Sequence, residues 1–342
     1  MTWQALFRAG GSFGARFNLV SAVPTAFLAG FVIALAWSGA PGTEPSWQHL
    51  LRTARNLTLG EAVLLVLLVL FASLFGQPLQ RPLVRLLEGY WAERPGLPVV
   101  LWRAARHCQY RRFVQLERIA SPKADQEPRP TGVDRAYLHH LRRNGQDDAE
   151  AAWFIKEWKA VGEERAFRAA GWKRSRFPRP ERLLPTALGN ALRAAEDSAA
   201  QRYGLDTVTM WPALHAVLAP QVREAVDDQR DQLDFAARLC AVLVLCALVA
   251  VCLLWGYWLD LGVLTGLALG AARVAYRAAV LAAEGYGVMI RMAFDLQRFD
   301  LLTALHLPLP DDSAEEWEAN RLLTARLTLD PQLLLRYRHP AG

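Results

Sequence analysis

Two arginines stand four residues apart in an apolar stretch of the C-terminal half, Arg273 and Arg277. Residues at this spacing share one face of an α-helix. If that helix enters a membrane near Leu259, Arg273 lies about 21 Å along it at 1.5 Å per residue. A charge at that depth is costly and usually marks a functional pathway or a specific partner. The pair is therefore predicted to line a water-filled, anion-attracting pore, or else to form an ion pair or snorkel to inner-leaflet phosphates.

Three glycines precede these arginines at intervals of four residues: Gly262, Gly266 and Gly270. A ladder of small residues at this spacing lets another helix approach closely. Two partners are expected to compete for the ladder, namely the preceding apolar helix of the same chain and a neighbouring subunit. The first predicts a tight hairpin, and the second predicts a homo-oligomer.

A basic cluster follows the second apolar stretch of the chain. Interleaved arginine and aromatic side chains are typical of surfaces that bind phosphate or nucleic acid. The same composition suits a helix lying on an anionic leaflet, and the nearby apolar stretch favours this interpretation. A nucleotide or nucleic acid is the less favoured ligand. The arginines are Arg103, Arg106, Arg111 and Arg112, and they alternate with Trp102, Tyr110 and Phe113.

The segment 183–197 reads as a Pro-Thr turn followed by an amphipathic helix. It carries Asn190, Arg193 and Asp197 at helical spacing. Arg193 and Asp197 stand at i and i+4, which predicts an ordinary solvated salt bridge. The alternative is a ligand-sensing elbow close to the helix that rises into the third apolar stretch.

Catalytic signatures are missing from the sequence, so the chain is expected not to be an enzyme. Neither a phosphate-binding loop, nor a zinc-protease motif, nor a nucleophile elbow occurs. The neighbouring rings of His139 and His140 would diverge by about 100° on a helix. The 4 cysteines show no metal-ligand spacing. No metal site and no cofactor are predicted, although a membrane enzyme acting on lipid or nucleotide remains an alternative.

These residues need apolar helices to position them, and the composition supplies such helices. The chain has 342 residues, 53% of them hydrophobic and 21% charged, and a mean hydropathy of +0.09. This balance indicates a mixed architecture of membrane and aqueous parts. We predict an all-α polytopic membrane protein with four transmembrane helices in two hairpins and a helical cytosolic region. The expected spans are 18–37, 62–76, 236–259 and 262–276.

The predicted organisation has five parts. Residues 1–17 form a cytosolic N-terminus and 18–76 the first transmembrane hairpin. Residues 77–219 form a cytosolic helical region, 220–285 a stalk helix with the second hairpin, and 286–342 the cytosolic C-terminal helices. A cleavable signal peptide is the alternative for the first apolar stretch.

Charge bias predicts the orientation. Residues 77–236 carry 26 Lys and Arg against 21 Asp and Glu, whereas the tight turn near Asp260 has neither Lys nor Arg. By the positive-inside rule, the hairpin tips face outward and both termini face the cytoplasm, with a bacterial cell membrane as the expected location.

Local signals predict further element boundaries. Thr58 and Glu61 fit a capping box that opens the second span, and Ser313 and Glu316 fit another that opens the last helix. Two prolines, Pro78 and Pro82, should end the second span before an amphipathic surface segment. The absence of Gly and Pro from 221 to 255 predicts one continuous stalk entering the third span.

In topology alone, this plan of two outer hairpins around a cytosolic helical region resembles that of bestrophin-like anion channels. The resemblance implies an anion channel. The leading hypothesis is an oligomeric membrane protein, a ligand-gated ion channel or a membrane-perturbing effector controlled by its cytosolic region. The alternative is a membrane-anchored scaffold that recruits a cytosolic partner. Expected partners are the lipid bilayer, further copies of the chain, and a cytosolic protein or an anionic ligand.

Overall fold

A computed structural model describes residues 23–91, 97–120, 162, 165–329, 332–334 and 337–338. Every regular element in these ranges is helical, so the predicted all-α class is confirmed. Two of the described helices, Pro220–Leu253 and Trp258–Ala304, are long and apolar enough to cross a membrane. This is consistent with membrane association, but the four-span topology is not confirmed. His139 and His140 lie outside the described residues.

The described ranges contain ten α-helices, α1 to α10 in chain order. The described part of α1 is Val23–Ser38, and helix α5 covers residues 165–174. Short 3-10 turns at Pro180–Arg182 and Gln201–Tyr203 flank α6. The other helices are α2 Trp47–Arg55, α3 Leu59–Glu88, α4 Leu97–Ala120, α6 Ala187–Ser198, α7 Thr207–Val217, α8 Pro220–Leu253, α9 Trp258–Ala304 and α10 Ser313–Thr328.

The predicted continuity of this part of the chain is confirmed, because α8 runs without a break from Pro220 to Leu253. Pro220 occupies the first turn, where its fixed φ and missing N–H are tolerated. The helix that follows is longer than expected. The predicted fourth span and the amphipathic stretch after it form the single helix α9, which ends at Ala304. No proline interrupts this sequence before Pro308, so nothing removes a backbone hydrogen bond within it.

Small side chains hold α8 and α9 together as an antiparallel pair. One face of α9 buries alanines at three- and four-residue intervals against α8, which supplies its own alanines and two cysteines. Because these side chains are short, the two helix axes can approach closely. The alanines of α9 are Ala268, Ala272, Ala275, Ala279 and Ala283.

Helix α1 packs across the far end of this pair. Leu35 and Ala40 cluster with Ala250 and Leu254 at the end of α8. The end of α1 therefore lies beside the turn between α8 and α9.

At helix α3 the predicted start is confirmed, whereas the predicted end is wrong. The capping box of Thr58 and Glu61 is present. However, the helix continues through Pro78 and Pro82 to Glu88, so no separate surface segment follows the second apolar stretch. Its first turns are exposed, with Leu59 and other large apolar side chains facing outward.

The main core lies at the other end of the long helices. There α6, α7 and α10 surround the N-terminal half of α8 and the C-terminal half of α9, with Phe294 and Leu214 fully buried at the centre. The last helix begins one residue earlier than predicted. Asp312, rather than Ser313, is its N-cap and accepts hydrogen bonds from the N–H groups of Ala314 and Glu315.

Candidate functional site

The glycine ladder lies on the face of α9 that points away from α8. A methyl group placed on Gly262, Gly266 or Gly270 would meet no atom within 4 Å. The predicted packing of the ladder against the preceding helix of the same chain is therefore wrong, because the alanines opposite the ladder make that contact instead. The ladder is left open to another molecule.

The arginine pair shares this outward face. Gly262 and Arg273 are eleven residues apart, as are Gly266 and Arg277, and eleven residues are close to three full turns of an α-helix. Both arginines are exposed. Glu284, the next acidic residue along the helix, forms an ion pair with Arg176 at 2.8 Å. Among the described residues, no carboxylate pairs with Arg273 or Arg277.

The first arginine counted from the turn between α8 and α9 stands at a similar distance along each helix. The turn between them carries two exposed tryptophans, Trp255 and Trp258, which are 67% and 75% exposed. At 1.5 Å per residue, Arg273 lies about 22 Å from Trp258, and Arg238 of α8 lies about 24 Å from Leu254. Exposed tryptophans at one end and arginines at the other are typical of the two boundaries of an apolar layer.

The predicted elbow is built around one buried amide. Asn190 is 1% exposed, and its side chain bonds both the N–H and the carbonyl of Leu184, at 2.7 and 3.0 Å. Asn190 Oδ1 accepts the N–H of Leu184 and Nδ2 donates to its carbonyl, and these two hydrogen bonds close the turn before α6. Thr186 caps the helix by accepting the N–H of Gly189. Asn190 therefore holds the shape of the elbow and does not face a ligand.

The charges of the elbow pair differently from the prediction. Asp197 pairs with Arg182 and accepts the N–H of Arg179, rather than meeting Arg193. Arg193 instead donates to the carbonyl of Arg182 at 2.6 Å and lies over the ring of Tyr90. The i, i+4 salt bridge is replaced because the 3-10 turn brings Arg182 onto the same surface of α6.

The elbow also ties the end of α3 to α9. The hydroxyl of Thr186 donates to the carbonyl of Glu88 at 2.6 Å. Gly189 faces the same carbonyl, and a Cβ there would collide with it. On the other side, the N–H of Leu188 donates to the hydroxyl of Tyr276, the residue before Arg277. The elbow thus links the end of α3 to the helix that carries the arginine pair.

A basic cleft opens between α4 and the elbow. Two adjoining compartments, of about 280 and 180 Å³, share the side chains of Trp102, Arg106 and Leu183. Arg103 lines the first compartment and Arg193 the second. Residues from the predicted basic cluster and from the predicted elbow therefore meet at one place.

The cleft separates the basic cluster into two parts. Arg103 and Arg106 line it, whereas Arg111 and Arg112 are exposed and take no part in its walls. On the buried side of α4, the ring of Phe113 packs edge-on against Phe177 and lies beneath Arg174. This packing fixes the face that α4 turns toward the elbow.

Sequence reasoning missed a third feature, a partly open cavity of about 270 Å³ between α3, α6, α7, α8 and α9. Glu88, Glu196 and Asp234 line it together with Arg230. Burial raises the pKa of Glu88; Asp234 and Glu196 raise it further, and Arg85 and Arg230 lower it. Arg230 donates to the hydroxyl of Tyr286 at 3.3 Å. These residues come from four separate stretches of the chain, so no local spacing could have revealed the cavity.

No family model matches the chain, and neither a curated relative nor a solved structure with significant similarity was found.

Proposed function

We propose that this chain is an oligomeric integral membrane protein in which the outward faces of α9 from several copies meet and line an anion pathway. The supporting observation is the joint exposure of the glycine ladder and the two arginines on one face of α9. In this arrangement the cell membrane of a bacterium holds the protein, the hairpin tips face outward, and both termini lie in the cytoplasm.

The chemistry of the face fits this role. Glycines on adjacent copies permit close helix contact, and that contact brings the arginines of different subunits together around an axis. A ring of arginines attracts anions and repels cations, which is how charged pores select for sign. The pair has no carboxylate partner within the described residues that would cancel its field.

The elbow supplies a means of control. It contacts the end of α3 through Glu88 and contacts α9 through Tyr276, one residue from Arg277. A change in the cytosolic helices would therefore act on α9 at the level of the arginine pair. This supports a pathway controlled by the cytosolic region.

The experiment measures the flux of anions and of cations into liposomes that contain the purified full chain. Reversal potentials in planar bilayers give the selectivity. The wild type should pass chloride in preference to potassium. Replacing both arginines, R273Q with R277Q, should reduce this preference roughly tenfold, which corresponds to about 1.4 kcal/mol. The matched control is R165Q, which removes an exposed arginine on α5 and should leave the preference unchanged.

Two results would contradict the proposal. One is the absence of flux across a range of voltages and pH while crosslinking shows only monomers. The other is an unchanged chloride preference in the double variant, which would show that the arginines do not face the conducted ion.

A second candidate function is a membrane-anchored scaffold, favoured by the exposed arginines of α4 that stand outside the cleft, Arg111 and Arg112. It predicts that R111Q with R112Q abolishes recruitment of a cytosolic partner to membranes, whereas R273Q with R277Q does not. Co-sedimentation of cytosolic proteins with liposomes that carry each variant separates the two functions.

A further inference from the structure

We infer that the basic cleft between α4 and the elbow binds a ligand bearing a phosphate group, with an apolar or planar part stacked against Trp102. This site goes beyond the proposed pathway, and its occupancy can be measured whether or not the chain conducts ions.

The arginines of the cleft carry a positive charge that no carboxylate offsets within the described residues. Arg103, Arg106 and Arg193 line the two compartments, and within the described ranges none of them forms an ion pair with a carboxylate. The one acidic residue on the walls, Glu181, is exposed and offers its backbone carbonyl to Arg106 at 3.3 Å. The cleft therefore has a positive excess that an anion would offset.

The directions of the donors are the second argument. Arg106 uses one terminal nitrogen on Glu181, and Arg193 uses Nε on Tyr90 and Nη1 on the carbonyl of Arg182. Each guanidinium keeps further N–H groups, since it carries five donors. Arginine forks of this kind match the geometry of phosphate oxygens.

A fixed aromatic wall is the third argument. The indole N–H of Trp102 donates to the carbonyl of Gly89 at 3.0 Å, which holds the ring in place. Arg106 lies over this ring, 5.3 Å from its centroid. A preformed wall needs little ordering on binding, so apolar contact with it retains more of its free energy.

The volume of the cleft is suitable for a small organic phosphate. The two adjoining compartments together reach the lower end of the range for small-molecule sites, which begins at roughly 300 Å³. A free nucleotide and a phospholipid headgroup carry the same phosphate chemistry, so the experiment must distinguish these two sources.

The test uses calorimetric titration of the detergent-purified full chain. One arm adds a nucleoside 5′-monophosphate, and the other adds a short-chain phosphatidic acid below its micelle concentration. Binding in the first arm alone identifies a free phosphate ligand, and binding in the second alone identifies a lipid headgroup. Both outcomes support the inference, whereas no binding in either arm up to 10 mM, on the order of the weakest affinities that are normally measured, would overturn it.

The variants test where the ligand binds. R106Q with R193Q should weaken binding at least tenfold, because each arginine supplies a charge-assisted hydrogen bond to the phosphate. R111Q with R112Q removes the same charge outside the cleft and should change the affinity by less than about threefold, as expected of screened surface charges. Equal weakening by both pairs would show nonspecific attraction and refute the site.

Arg193 also bonds the elbow backbone, so its variant could disturb the fold. R103Q provides an independent check, because Arg103 is exposed and has no hydrogen bond or ion pair in the described part of the chain. A loss of affinity in R103Q with an unchanged unfolding temperature supports the cleft, and unchanged affinity in both R103Q and the R106Q, R193Q pair contradicts it.

Discussion

The hydroxyl oxygen of Tyr276 accepts the backbone N–H of Leu188 at 3.2 Å. This bond crosses from α9 to the first turn of α6, where an N–H has no partner within its own helix. It therefore fixes the elbow to the long helix one residue before Arg277.

Replacing Tyr276 by phenylalanine keeps the ring and removes this acceptor. The variant should lose about 1 kcal/mol of stability, because a partly buried N–H is left without its partner. Chemical denaturation of the detergent-solubilised chain measures the loss. Y257F is the control, since Tyr257 has no hydroxyl hydrogen bond among the described residues. Equal effects of the two variants would show that the bond is not specific.

Leucine at Gly266 tests the contact between subunits. The position is open in a single chain, so the substitution should leave the folded monomer intact. It should nevertheless weaken the oligomer at least tenfold, about 1.4 kcal/mol, because it prevents close helix approach. Light scattering and crosslinking measure the oligomer. A271L places the same side chain on an exposed position away from the ladder, and an equal effect there would argue against the interface.

Alanine at Gly189 tests the junction between α6 and the end of α3. The added methyl group would collide with the carbonyl of Glu88 and lie 2.7 Å from a methyl of Leu184. Overpacking of this kind typically costs about 1 to 3 kcal/mol. G171A is the matched control, because Gly171 has open space around it and gains helix propensity of about 0.5 to 1 kcal/mol. If both variants were more stable than wild type, the close approach would be refuted.

The Glu88→Gln variant tests the cavity through pH. Burial raises the pKa of Glu88, helped by Asp234 and Glu196 and opposed by Arg85 and Arg230. The folded protein therefore holds this proton to a higher pH than the unfolded chain. Stability falls as the pH rises from the ordinary value of 4.5 toward the raised pKa, and the cost persists above it.

Glu88→Gln should accordingly be more stable than wild type at pH 7.5, and the difference should shrink as the pH falls toward 4.5. Thermal unfolding followed across this range measures it. Glu318→Gln, an exposed substitution on α10, should show no such trend. A constant difference between Glu88→Gln and wild type at all pH values would contradict the buried carboxyl.

The long helices could be predicted because their signals are local. The absence of Gly and Pro after Pro220 predicts α8, and the pair Thr58 and Glu61 predicts the start of α3. The end of α3 could not be predicted by the same means. Pro78 and Pro82 are normally helix breakers, yet the helix continues, so a local rule gave the wrong boundary.

Which face of a helix packs against a neighbouring helix depends on tertiary contacts that the sequence does not show. Glycines and alanines of α9 both recur at helical spacing, and periodicity alone cannot tell which set meets α8. The walls of the basic cleft combine Trp102 with Leu183, about eighty residues further along the chain, and Arg106 with Arg193. Residue types indicated phosphate chemistry, but only the fold brings the two segments to one cleft.

The unbroken length of α9 has a mechanical meaning. Its 47 residues span about 70 Å without a break. A helix of this length can act as a lever between the core around Phe294 and the turn that carries Trp255 and Trp258. A tilt of only about 5° at the core end would displace the other end by about 6 Å, roughly the pitch of one helical turn. Small rearrangements among the helices of the main core would be magnified along the lever before they reached the turn between α8 and α9.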